Sequence, residues 1–125
     1  MAKLKFTDQH EWLSIEGNTA RVGITNYAQG QLGDVVFVEL PNLESEFKQG
    51  DEVAVVESVK AAAEVYAPAT GDIVETNPDL EGSPELVNSD PLGAGWFFEM
   101  KLSDLSETES MMDEQGYKDF LATLE

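Results

Sequence analysis

Val53–Pro68, VAVVESVKAAAEVYAP, holds a single lysine, Lys60, among small and apolar residues, and its reading as helix or hairpin decides the architecture of the chain. A helix has points in its favour, because alanine is the best helix former and Lys60 has Glu57 three residues before it and Glu64 four after. Against it, a stretch this short is a marginal helix in isolation. It also lies between the β-branched run Val53–Val56 and the strand-like Val65–Ala67 ahead of Pro68. A hairpin is the better reading. It places Lys60 at or near an exposed turn, where a long side chain is open to a modifying enzyme and small neighbours lessen steric obstruction.

Outward from this stretch the middle of the chain is mostly β. Val35–Leu40 is an apolar run stopped by Pro41, Glu52–Val59 and Glu64–Ala67 flank Lys60, and Asp72–Thr76 ends before Asn77-Pro78. Gly33-Asp34-Val35-Val36 returns as Gly71-Asp72-Ile73-Val74, and each copy runs on to a proline. Gly-Asp also marks turns before strands in general, so the pattern reads either as coincidence or as two similar β halves packed on each other.

Towards the N-terminus, His10–Ile15 and Thr19–Ile24 form two strand-like runs joined at Gly17-Asn18, a pair suited to a tight turn. Ala20, Val22 and Ile24 alternate with Thr19, Arg21 and Gly23, as in a half-buried strand. Thr25 can cap a short helix over Asn26–Leu32, with Gly33 ending it in the left-handed conformation. Towards the C-terminus, Ser83-Pro84 predicts a helix start, cut short by Asp90-Pro91, and Gly95–Leu102 predicts a strand. Ser106 and Glu109 fit a capping box. Tyr117, Phe120, Leu121 and Leu124 recur at helical spacing, which predicts one or two helices over 107–124 with an apolar stripe covering the β core.

Composition sets the class. The 125 residues, 42% hydrophobic, suffice for one compact domain over 1–125, with a core from about 10 to 102 and a helical segment from about 103 to 125. Seven Lys and Arg against 25 Asp and Glu leave a formal charge of −18, which disfavours nucleic acid and anionic membranes and favours transient docking to basic protein surfaces. With no cysteine, any redox sulfur chemistry must be imported. No apolar run is long enough for a membrane span, and Met1–Phe6 is short and polar for a signal peptide, so a cytoplasmic protein is expected, with a mature organellar form left open.

Few residues invite catalysis. His10, the only histidine, cannot support a multi-histidine metal site, lacks a Ser or Cys nucleophile pattern, and reads as structural or surface. With 25 acids, pairs of carboxylates are unavoidable and carry no inference. Neither a dinucleotide fingerprint, nor a phosphate loop, nor calcium-loop spacing occurs.

Beyond these readings, the sequence resembles the glycine cleavage H-protein family over nearly its whole length. The blocks, in family order, are His10-Glu11-Trp12, Gly23-Ile24-Thr25, Leu32 to Pro41, Glu57-Ser58-Val59-Lys60-Ala61, Tyr66-Ala67-Pro68, Gly71 to Val74, Pro84 to Asn88, and Gly95-Trp96. The resemblance implies a mainly β barrel-sandwich hybrid, lipoyl/biotinyl-domain-like, with short helices and a C-terminal helix. A biotin carrier typically has methionine where this chain has Val59, and a dehydrogenase lipoyl domain typically has Asp-Lys-Ala.

The resemblance further implies lipoic acid in amide linkage to Lys60 and no catalytic residues of the chain's own. Its partners would be the pyridoxal-phosphate glycine decarboxylase (P protein), which passes an aminomethyl group to the arm, the aminomethyltransferase (T protein), dihydrolipoamide dehydrogenase (L protein), which reoxidises the dithiol, and a lipoate-attaching enzyme. Glu11, Gln31 and Glu64 look like the positions that hold the loaded arm in a surface cleft. Gln31 stands where some family members have histidine, and for Glu11 and Glu64 ordinary surface acids are the other reading. A monomer is expected. Two alternatives stay open: an H-like protein relaying octanoyl or lipoyl groups to other enzymes, and an unmodified acidic interaction module in which Lys60 pairs with Glu57 or Glu64.

Overall fold

Residues 3–124 are described by the structure, a computed structural model; Met1, Ala2 and Glu125, which the sequence reading included in its domain, lie outside the described residues. The N-terminal hairpin forms as expected from its alternation. Strands β2 (Glu11–Glu16) and β3 (Thr19–Ile24) pair across a turn in which Gly17 takes a φ of 60°. On one face Leu13 lies opposite Val22 and Ile15 opposite Ala20, all buried. On the other, Trp12 lies across Gly23, where a β-carbon would come within 2.7 Å of the indole nitrogen. This second face is buried only at that end, since Arg21 is exposed and Thr19 partly so, and β3 is otherwise the half-buried strand its alternation predicts.

Three differences from the sequence expectation have local causes. The strand starts at Glu11 because His10 adopts a φ of 65°, turning the chain so that its carbonyl accepts the Thr25 N–H at 3.0 Å. Lys3–Phe6, read only as a short polar opening, is strand β1, recruited by antiparallel pairing with β2 from Lys3↔Ile15 to Phe6↔Trp12. Thr25 caps helix α1 (Asn26–Leu32) through its hydroxyl, as expected. Gly33 has the positive φ, 81°, but with ψ −155° it leaves the helix extended instead of left-handed, which launches the next strand.

The remaining strands are β4 (Val35–Glu39), β5 (Glu46–Phe47), β6 (Glu52–Ser58), β7 (Ala62–Tyr66), β8 (Gly71–Thr76) and β9 (Phe98–Leu102). They form two antiparallel sheets, of order β1-β2-β3-β9-β8-β5 and β4-β6-β7. The two Gly-Asp copies stand at the starts of β4 and β8, one in each sheet. Their glycines serve different ends: Gly33 supplies a positive φ, whereas Gly71 lies hard against the backbone of β9.

Between the sheets Leu13, Val22, Val56, Val65, Ile73 and Phe98 are fully or almost fully buried in one cluster. Each such side chain contributes roughly 1.5–3 kcal/mol, so packing of the sheets, not the connecting turns, holds the hairpins in place.

The C-terminal third departs most from the sequence reading. Asn77 accepts the Asp79 N–H through Oδ1 and starts a turn early, so α2 (Asp79–Gly82) precedes Ser83, which ends it; the next turn, α3, is Leu86–Ser89. The strand expected from Gly95 begins at Phe98, because Gly95 is packed against the Leu86 and Asp90 carbonyls of α3 and the turn that follows it. Ser106 and Glu109 make no capping box. Asp104 instead caps the 3-10 turn Leu105–Thr108, and Glu107 accepts the Thr70 N–H at 2.7 Å.

Asp113 caps α4 (Glu114–Ala122). The stripe of α4 does not cover the main core: Tyr117, Phe120 and Leu121 close a second cluster with Phe6 and Trp12, and Leu124 is exposed. Among the described residues no helix is long and apolar enough to cross a membrane.

Candidate functional site

The β6–β7 connection is a hairpin turn, and its geometry comes from one serine. Ser58 N–H donates to the Ala61 carbonyl at 2.7 Å, while Ser58 Oγ accepts the N–H groups of Lys60 (3.3 Å) and Ala61 (3.1 Å). A hydroxyl that replaces backbone partners in this way closes a turn that two alanines and a valine alone would leave loose. Val59 N–H is tied to the Asp34 carbonyl at 3.1 Å, across to the α1–β4 connection. Lys60 sits exposed at the tip. Its stem runs past Gly33, where an added β-carbon would lie 3.4 Å from Lys60 Cε. Among the described residues the one ion pair is Arg21–Glu99 at 2.7 Å, so neither Glu57 nor Glu64 neutralises Lys60 there.

Glu11, Gln31 and Glu64 are brought to one cleft. It has a volume of about 220 Å³, with walls from α1 (Tyr27, Ala28, Leu32) and from β6 and β7 (Val56, Ala63, Val65), and His10 at its rim. It runs up to the lysine turn on both sides: Leu32 precedes Gly33, and Ala63 lies three residues beyond Lys60, roughly 10 Å along the strand.

Glu11 is not an ordinary surface acid. It is 3% exposed, accepts the Tyr66 N–H at 2.8 Å and the Thr7 hydroxyl at 3.1 Å, and so joins β2 to β7 across the two sheets. Burial pushes its carboxyl up from an ordinary 4.5 to about 7; the bonds from Tyr66 and Thr7 oppose the shift, and Asp8 adds to it. Gln31 and Glu64 are exposed at the mouth. On its far side Glu11 borders a wider hollow of about 480 Å³ between Thr7, Asp8, Gln49 and Tyr66.

His10 is structural, as read from the sequence. Its Nδ1 shares a hydrogen bond of 2.8 Å with the Tyr117 hydroxyl, which also contacts Thr25 Oγ1 at 2.7 Å, and its ring lies against Tyr27 and Phe120. Burial lowers its pKa. Sequence reasoning read Gly33 as a helix end and Ser58 only as part of a motif block, gave neither a part in shaping the lysine turn, and had no role for Tyr27. Only Ser58 carried a local signal, a serine two residues before a lysine at the end of a β-branched run.

The Glu11 carboxyl predicts a measurable pH dependence. Its folded pKa exceeds its unfolded one, so the unfolded chain loses the proton first, and stability conferred below about pH 4.5 is lost as pH rises towards 7. The loss is at most roughly 3 kcal/mol. His10, with a lowered pKa, acts in the opposite sense, so the informative quantity is the difference between wild type and Glu11→Gln. Urea midpoints from pH 5 to 8 should show wild type losing stability relative to Glu11→Gln; a gap that does not change with pH would mean that Glu11 ionises normally.

Two antiparallel sheets packed on a shared core, with a lysine that has no ion-pair partner among the described residues presented on a hairpin tip beside a cleft, have the architecture of a lipoyl-type carrier domain. The family model for the glycine cleavage H-protein matches residues 4–124. Glycine cleavage system H proteins of Parvibaculum lavamentivorans (51% identical, covering all of both chains) and Thermotoga maritima (57%, 98% of each) are similar along their whole length. A crystal structure of a glycine cleavage system H protein from Mycobacterium marinum superposes with a TM-score of 0.87 at 32% identity, over 96% of this chain and 97% of that one. The chain belongs to the glycine cleavage H-protein family, and its fold is lipoyl-domain-like.

Proposed function

We propose that the chain is the lipoyl carrier of the glycine cleavage system, with lipoate in amide linkage to Lys60 Nζ. The observation that carries this reading is the exposed hairpin lysine, without a counter-ion among the described residues, its stem lying along Gly33. The lysine is accessible to an attaching enzyme, and the turn that bears it is held by backbone and Ser58 rather than by the lysine itself. Bound there, lipoate supplies the redox-active disulfide that a chain without cysteine lacks and a site able to take up a one-carbon amine fragment.

The chain's own residues present, tether and shelter, and none of them catalyses. Tethering at a hairpin tip keeps the arm at high local concentration for each partner in turn: the P protein, the T protein, the L protein and the attaching enzyme. The acidic surface favours brief, salt-sensitive docking to basic faces of these partners. The cleft beside the turn suits a returning arm, with apolar walls for its carbon chain and with Glu11, Gln31 and Glu64 for a terminal amine. An ammonium group near Glu11 would draw that carboxyl to its charged form. On this reading the chain works as a monomer and in the cytoplasm.

Incubation with a lipoate ligase, lipoate and ATP tests the reading. Intact mass and peptide mapping should find one lipoyl-sized addition, at Lys60, and the loaded protein should support glycine-dependent carbon dioxide release with purified partners. An unmodified Lys60, with a control H protein loaded in parallel, would refute the carrier reading. Loading without carbon dioxide release would point to a relay of acyl groups.

A further inference from the structure

We propose that Asn88, on α3 and remote in sequence from the lysine, is a positioning residue that sets the geometry of the Lys60 turn; this rests on the carrier reading. Its carboxamide clasps the strap between α1 and β4. Asn88 Nδ2 donates to the Gly33 carbonyl at 2.8 Å and to Gln29 Oε1 at 2.9 Å, and Asn88 Oδ1 accepts the Val35 N–H at 2.8 Å. The strap so held is the one that meets the lysine turn. Its Asp34 carbonyl accepts the Val59 N–H, and Gly33 lies under the lysine stem.

The strap cannot hold itself. Gly33 leaves α1 in an extended conformation with φ 81°, so the carbonyl of Gly33 and the N–H of Val35 are taken out of helix geometry. Regular pairing between β4 and β6 is interrupted between Val35 and Phe37. One carboxamide satisfies both orphaned backbone groups, and it alone among the amino-acid side chains of this size offers donor and acceptor in one plane. Aspartate is nearly isosteric, but it would set an oxygen against the Gly33 carbonyl and Gln29 Oε1, turning two attractions into repulsions. An attaching enzyme must bring Nζ into line with an acyl donor, a placement for which small errors are costly. Lys60 is thus presented by a relay from Asn88 through the strap to the turn.

The test uses the whole apo-protein. In Asn88→Asp, the Val59 and Val35 amides should exchange roughly tenfold faster, the effect of about one net hydrogen bond. The Val55 and Val65 amides of the same hairpin should keep their protection, and kcat/KM for lipoate transfer to Lys60 should fall about tenfold. Uniform acceleration of all four amides would show a merely structural residue, and unchanged Val59 exchange and transfer would overturn the proposal. Should Asn88→Asp fail to fold, Gln29→Ala removes one leg of the clasp from a partly exposed site. It should show the same selective pattern at smaller size, and its absence would overturn the proposal equally. If wild-type Lys60 is not acylated, the carrier reading fails, while the exchange pattern still decides the part played by Asn88.

Discussion

Lys60→Arg is expected to abolish lipoyl loading, and with it all carrier activity, while leaving stability within about 0.5 kcal/mol of wild type. Arginine keeps the charge and much of the stem, so the surface electrostatics and the contact over Gly33 are preserved. Its guanidinium stays protonated and is no acyl acceptor. The turn does not depend on the lysine side chain, because Ser58 and the Val59–Asp34 bond close it. Nor is a salt bridge lost, and an exposed one would be worth only about 0–1 kcal/mol.

The same substitution separates recognition of a turn from recognition of a charge. Lys3, Lys5, Lys48, Lys101 and Lys118 remain, and none stands on a hairpin tip between two strands of the smaller sheet. Intact mass after incubation with ligase should show no addition, and glycine-dependent carbon dioxide release should drop to background. Loading at another lysine with retained activity, or a drop in stability above about 2 kcal/mol, would contradict the assignment.

Gly71→Ala should give the largest loss of stability, about 3 kcal/mol, a substantial part of the 5–15 kcal/mol typical of a domain. Gly71 opens β8 between Leu102 of β9 and Phe47 of β5. An added β-carbon there would overlap the Lys101 carbonyl oxygen, with Lys101 C at 3.0 Å and Leu102 Cα at 3.2 Å. These are backbone atoms of a strand paired on both sides, to β3 and to β8, so no rotamer change relieves the clash. Gly30→Ala is the matched control. On α1 its new methyl meets nothing within 4 Å, and alanine in a helix should stabilise by up to about 1 kcal/mol. Urea unfolding of both variants measures the contrast; a loss below about 1 kcal/mol for Gly71→Ala would mean that β8 and β9 yield more readily than their pairing implies.

The sequence by itself determined the hairpin around Lys60, the N-terminal hairpin and the Thr25-capped helix. Each rests on a signal within a few residues: β-branched runs, a Gly-Asn turn, a hydroxyl ahead of a short helix. Family resemblance supplied the expectation of lipoate and of the cleft residues, which no local pattern encodes. Tertiary structure alone decided what depends on partners distant in sequence. Lys3–Phe6 is a strand only because β2 offers it an edge, and α4 closes a second cluster only because that strand brings Phe6 beside Trp12. The Glu11 carboxyl is pushed up to about 7 only because folding buries it, against the opposing bond from the Tyr66 N–H 55 residues away, and Asn88 reaches the lysine turn only through the folded strap. Local signals act through backbone preferences of neighbouring residues. Burial, shifted acidity and the clasping of one loop by another act through space, and chain order does not record them.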